Sequence, residues 1–195
     1  MDVNKTDLEV LASAIGSRKG AEELLSAFGS LSEIVRNVRT LQATGRTKTR
    51  LRSIVELYKR VTRENIDRGV SYTSSSAVFE YCRGLFLGVN VEQFYVLPFD
   101  SKNKIIHKPI LISSGSAICT IVHPREIFLT LIKKNAVAAI LVHNHPSSLD
   151  PTPSEEDITL SKRIKSSGET LGIHILDHII VGGGNYVSFT DSNLW

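Results

Sequence analysis

Two histidines separated by one residue at the end of an apolar run, followed at a distance by an anchored acid, could together hold a metal ion. They lie in the stretch Leu141-Val-His-Asn-His-Pro-Ser-Ser-Leu-Asp-Pro-Thr-Pro-Ser-Glu-Glu-Asp157. Side chains alternate along a strand, so His143 and His145 project from one face and can reach a single ion, and Pro146 ends the strand just after them. A loop stiffened by prolines returns the chain to Ser154, and Asp157 lies one helical turn further on, where its carboxylate can supply a third ligand. A His/His/Asp set leaves a fourth tetrahedral position for water, the arrangement of a catalytic rather than a structural zinc site. Such an ion brings the pKa of its water toward ~7 and polarises a carbonyl. An ordinary reading stays open beside this one. Ser154-Glu-Glu-Asp157 is also a serine N-cap with acids in the first helical turn, and a histidine at the end of an apolar strand is usually structural.

The elements that must position these residues follow from periodicity. Ala136 to His143 reads as a buried strand and Ser154 to Ser167 as a helix. Before them come a helix at Ala77 to Leu87 and a hairpin from Gln93–Phe99 through Asp100–Asn103 into Lys104–Ile112. A strand at Ile118 to Val122 and a helix opening at His123-Pro124 follow. Short strands at Ile173–Ile175, His178–Val181 and Tyr186–Phe189 close the chain. From Asp7 to Arg68 the apolar spacing is helical throughout, punctuated at Gly16-Ser17, Gly29-Ser30 and Thr44-Gly45, and predicts four short helices. The expected organisation is a helical domain over 1–68, a Ser/Thr-rich linker over 69–76 and an α/β domain over 77–195.

Composition narrows the class. With 195 residues, 42% of them hydrophobic and 22% charged, the chain can bury a core. Its apolar runs fall far short of the roughly 20 residues that cross a bilayer, so a soluble cytoplasmic protein with no membrane partner is expected. Cys82 and Cys119 stand alone and build neither a disulfide framework nor a metal knuckle. The net charge of +3 conceals a concentration between Arg36 and Arg68, where ten basic residues face only Glu56, Glu64 and Asp67. Nucleic acid is a candidate partner for such a surface.

Several segments together carry a resemblance: Leu24-Leu25, Phe28-Gly29-Ser30-Leu31, Val122-His-Pro-Arg-Glu126, His143-Asn-His-Pro146, Asp150-Pro-Thr-Pro-Ser154 and Leu176-Asp-His-Ile-Ile180. The chain resembles the bacterial DNA repair protein RadC family, whose C-terminal domain belongs to the JAB1/MPN/JAMM class of zinc metalloproteases. The resemblance implies a mixed sheet flanked by helices, of cytidine deaminase-like architecture, behind a divergent helix-hairpin-helix bundle. It implies Zn2+ held by His143, His145 and Asp157, with Ser154 helping to hold the tetrahedral intermediate. The class also takes a proton from the water with a glutamate on an earlier strand, and Glu92 stands at the matching place. Glu80 and Glu126 compete for that role but fall within predicted helices, where an exposed glutamate is ordinary. His123, His174 and His178 read as structural or as supports for the ligands. One departure is visible: Ser148-Leu149 replaces the single glycine of the family loop.

The function implied is hydrolysis of an amide or isopeptide bond in a protein or peptide substrate. The alternative is a DNA-associated repair or recombination accessory protein with a non-catalytic metal site, contacting DNA through Gly45, Arg46, Lys48, Arg50 and Arg52. Of the hairpin's two glycines only Gly45 is present, and a solvated basic helix face explains those cations equally well. Phosphoesterase or deaminase chemistry fits worse, because Ser147-Ser148 follows Pro146 where an Asp-His pair would stand, and no Pro-Cys-x-x-Cys occurs.

Overall fold

A computed structural model describes residues 6–38, 41, 45–66, 74–115 and 122–195. The chain divides into two compact units. One runs to Val61 and takes in Leu87–Asn90, and the other holds the remainder.

The first unit holds α1 (Asp7–Ile15), α2 (Arg18–Phe28), α3 (Leu31–Arg36) and most of α4 (Gly45–Ile66). Thr6, Ser17 and Ser30 cap the first three through their hydroxyls, and Gly16 ends α1 in the left-handed region at φ 70°. Leu11, Ile15, Leu24, Ile34, Val38, Leu41, Leu51 and Val55 form its core. The expectation of four short helices is corrected for the last: α4 is 22 residues long, because no proline or glycine interrupts it after Gly45.

The second unit is a five-stranded mixed sheet in the order β2-β1-β3-β4-β5. Its strands are β1 (Glu92–Phe99), β2 (Ile110–Gly115), β3 (Ala138–Asn144), β4 (His174–Gly182) and β5 (Asn185–Ser188), and its helices are α5 (Ser75–Cys82), α6 (Pro124–Lys133) and α7 (Glu155–Leu171). Neighbouring strands are antiparallel except β3 and β4, which run parallel and are joined through α7. The central strand β3 is buried along its whole length. One face packs Phe94, Val96, Ala139 and Leu141 against Ile127 and Leu131 of α6 and Leu160 and Ile164 of α7. The other packs Leu97, Ile140, Val142 and Ile179 against Val78, Phe79 and Cys82 of α5. Removing any of these large side chains from water contributes about 1.5–3 kcal/mol.

Other expectations shift. The strand expected at Ile118–Val122 lies outside the described residues except for Val122, which is not in a strand. Most of the expected linker is outside them too, while Ser74 caps α5 and Ser75-Ser76 open it. The hairpin turns where expected, with Asp100 Oδ1 accepting from Lys102 N and Lys104 N, but beyond an isolated bridge between Phe99 and Ile105 the continuous strand begins only at Ile110, after Pro109, which lacks an N–H. The two short strands read at Ile173–Ile175 and His178–Val181 are one continuous strand, β4. Asp177 and His178 break the apolar pattern yet are buried and hydrogen-bonded, so the strand passes through them.

Candidate metal centre

Three elements deliver the ligand residues. His143 stands near the end of β3, fully buried, with the Phe94 ring stacked on it at 5.8 Å. Beyond the strand end, His145 N donates to Val181 O at 2.8 Å, which carries the extended course far enough for the two Nε2 atoms to lie 3.0 Å apart. Helix α7 supplies the acid. Ser154 Oγ accepts from Asp157 N at 3.1 Å, while Ser154 N and Oγ both donate to Asp157 Oδ2, at 2.8 and 2.7 Å. The carboxylate so fixed lies 3.2 Å from His143 Nε2 and 3.3 Å from His145 Nε2. One ligand atom from each residue falls within 4.8 Å of the others. The capping reading of Ser154–Asp157 is realised, and the helix cap is what holds the acid against the imidazoles.

Electrostatics favour a cation between them. His145 Nδ1 is 3.0 Å from Asp150 O; a carbonyl only accepts, so Nδ1 carries the proton and the neutral ring turns an Nε2 lone pair inward. That lone pair meets the carboxylate and the His143 ring in a nearly dry site. Two imidazole nitrogens and a carboxylate oxygen are a donor set that suits zinc. The hydrogen bond to Asp157 raises the pKa of His145 against the lowering effect of burial. Burial pushes the Asp157 carboxyl up, but the nearness of His143 and His145 and the bond from Ser154 outweigh it and hold the group far below the usual carboxylate range.

Glu92 stands at the head of β1, two positions before Phe94 and therefore on the same face. The register that pairs Phe94 with His143, continued by two residues, sets Glu92 across from His145, whose pKa its charge helps to raise. Gln93 N donates to the Asn144 side chain at 2.7 Å and fixes that strand end. The competing glutamates are elsewhere: exposed Glu80 pairs with Arg83 at 3.0 Å and exposed Glu126 with Arg125 at 3.3 Å.

A family model for the RadC-like JAB domain matches residues 72–194. A "UPF0758 protein" of Geotalea uraniireducens is 36% identical over 203 residues, covering 97% of this chain and 88% of that protein. One of Staphylococcus carnosus is 36% identical over 95% of this chain and 86% of its own length. Another, of Pelobacter propionicus, is 48% identical over 128 residues, 66% of this chain and 54% of that protein. The chain belongs to the RadC family. As a RadC-family JAB domain it carries a His143/His145/Asp157 group able to hold a metal ion.

In the loop after His145, Leu149 takes the left-handed conformation at φ 61° that a glycine adopts freely. The loop lies on Gly182, where an added Cβ would meet Pro151 N at 2.7 Å and Asp150 C at 2.8 Å. A bare glycine there lets the Asp150 carbonyl reach His145.

Three further histidines divide by role. His123 caps α6, its Nδ1 accepting from Arg125 N, and His174 is exposed at the start of β4. His178 is completely buried, edge-on to Phe94 and stacked on Phe189 at 4.8 Å; burial pushes its pKa well down, so the ring is neutral. Its Nε2 lies 2.8 Å from His143 Nδ1 and its Nδ1 2.6 Å from Ser161 Oγ. Sequence reasoning passed over Ser161, although it falls four residues after Asp157 and so shares its helix face. Asp177 supports the strand from the other side, accepting from Ser188 Oγ at 2.6 Å and Thr190 N at 3.0 Å.

In the helical unit, Gly45 begins α4 with an ordinary backbone and open space around it. Arg46 and Arg52 are exposed and Lys48 partly so. Arg50 donates to the carbonyl of Ile15 at the end of α1, a bond within that unit.

Proposed function

We propose that this chain is a zinc metallopeptidase of the JAMM type, a hydrolase of amide or isopeptide bonds in a protein or peptide substrate. One observation carries the reading: His143 Nε2, His145 Nε2 and the Asp157 carboxylate converge while the outer nitrogen of His145 is tied to a carbonyl. A set of three protein ligands would leave a coordination position open to an ion held there, and His145 is the least buried of the three. Zinc bound there supplies a Lewis acid that activates water and polarises a carbonyl.

The chain's own residues do the rest. Glu92, across from His145, accepts a proton from the attacking water and returns it to the leaving amine. Ser154 holds its proton on Asp157 Oδ2; rotation about its side chain aims that O–H at the developing oxyanion. Asp157 keeps the Ser154 N–H when the hydroxyl turns, so the ligand stays in place.

The test compares wild type, the His143→Ala/His145→Ala variant and Glu92→Gln. Elemental analysis should find stoichiometric zinc in the first and third and none in the second. On a library of peptides with acylated lysine side chains, wild type should show chelator-sensitive cleavage, and Glu92→Gln should lose about 10²–10⁴-fold in rate. Full zinc in the double variant would refute the ligand assignment, and an unchanged rate in Glu92→Gln the choice of base. Zinc without hydrolysis, together with salt-dependent binding of duplex DNA, would favour the accessory-protein reading.

A further inference from the structure

We infer that His178 and Ser161 are positioning residues that place the proton of His143 on Nδ1 and so turn its Nε2 lone pair toward the cation site. The inference rests on the metal reading above and adds two residues and a direction to it.

The direction follows from counting protons along a chain of three close contacts. Ser161 Oγ is 2.5 Å from Asp157 O, His178 Nδ1 is 2.6 Å from Ser161 Oγ, and His143 Nδ1 is 2.8 Å from His178 Nε2. Each contact needs one proton between its two heavy atoms. The carbonyl of Asp157 has none, so the hydroxyl of Ser161 must donate to it. Ser161 has no second proton, and the contact to His178 is therefore closed by the proton on His178 Nδ1. A neutral imidazole with Nδ1 protonated has a bare Nε2, which accepts from His143 Nδ1. His143 Nε2 is then bare and faces Asp157 Oδ1 and His145 Nε2. The reverse order would set oxygen lone pairs of Ser161 and Asp157 against each other at 2.5 Å.

The two ligand imidazoles thus share one tautomer, reached by different means. A main-chain carbonyl, that of Asp150, settles His145 directly. His143 lies deeper, where its partner is another ring whose own proton is fixed by α7. Asp157 and Ser161, one turn apart on the buried face of α7, address β3 and β4 respectively. The helix that brings the acid ligand therefore also sets the proton of a histidine ligand.

The test uses two variants of His178 with side chains of similar length. In His178→Gln the amide oxygen can accept from His143 Nδ1; in His178→Met nothing can, although the thioether fills the space between Phe94 and Phe189. Zinc affinity by competition with a chromophoric chelator should fall about 10- to 100-fold in the Met variant and recover most of that in the Gln variant. A purely packing role predicts the opposite order, since Met suits an apolar pocket better. Equal affinities of Met and wild type, or Gln no better than Met, would overturn the inference. Nitrogen NMR of the histidine rings supplies a readout that needs no variant: His178 should be protonated at Nδ1 and bare at Nε2. The opposite tautomer would also overturn it. Wild-type protein that takes up no zinc would sink the metal reading instead, and the NMR of the metal-free chain would still decide the proton order.

Discussion

Two helices of this chain open with the same device, and one of them brings its acid to the candidate metal centre. At α1, Glu9 N donates to Thr6 Oγ1 at 3.4 Å and Thr6 N to Glu9 Oε2 at 2.9 Å. At α7 the corresponding distances between Ser154 and Asp157 are 3.1 and 2.8 Å. Both are complete capping boxes, and the spacing of hydroxyl and acid is the same. Thr6 and Glu9 sit at the surface, where the box satisfies helix-end amides. Asp157 is 3% exposed and has two imidazoles against its oxygens. A cap and a ligand are therefore not competing readings of one acid. The cap fixes the carboxylate in one orientation, and depth and neighbours decide what else it does.

The comparison can be broken hardest at the acids themselves. Asp157→Ala should abolish zinc binding by elemental analysis, whereas Glu9→Ala should leave zinc untouched and cost at most about 1 kcal/mol in urea unfolding. The hydroxyls come next. Ser154→Ala and Thr6→Ala should each cost about 1 kcal/mol of stability as lost caps, but only the former should also weaken zinc, by about tenfold, because the carboxylate loses an O–H that holds it. Smaller still is Gly182→Ala, which pushes on the loop at Asp150 and Pro151 without touching either box. A shift of the Asp150 carbonyl from His145 should weaken zinc by up to about tenfold in chelator competition.

The smallest effect is one of pH on metal-free protein. His145 has its pKa raised by the bond to Asp157, so the folded value exceeds the unfolded one. The stability this pair contributes is full below the unfolded value of about 6.5 and is lost as pH rises through the folded value. The melting temperature of chelator-treated protein should therefore fall as pH rises through that window, and His145→Gln should flatten the slope. Zinc affinity should move the other way, rising as the competing proton leaves. The box at α1 has no histidine on its carboxylate and predicts no change over this range.

Much of this was legible in the sequence because it is local. Alternation along an extended segment places His143 and His145 on one side, and Pro146 ends the run. Ser17, Ser30 and Ser154 announce helix starts through hydroxyls that reach backbone amides three residues on. The family resemblance, carried by motifs from Leu24 to Ile180, agrees with the RadC-like match over residues 72–194. The misreadings arose where long-range partners overrule a local pattern. Leu176 and Asp177 read as a gap between two strands; Asp177 is instead buried and satisfied from β5 and the C-terminal segment, as His178 beside it is from α7.

By itself, then, the sequence determined the local elements: where most strands and helices lie, and which three side chains could together hold an ion. Each of these depends on interactions spanning a few residues, and spacing is enough to specify them. Only the tertiary structure decided which elements meet. Pairing β4 beside β3 brings His178 to a residue 35 positions away, and packing α7 on that face sets Asp157 and Ser161 against two different strands. Such contacts are selected by burial of the whole sheet face rather than by any local preference, so the ring that orients His143 emerges only once the chain has folded around it.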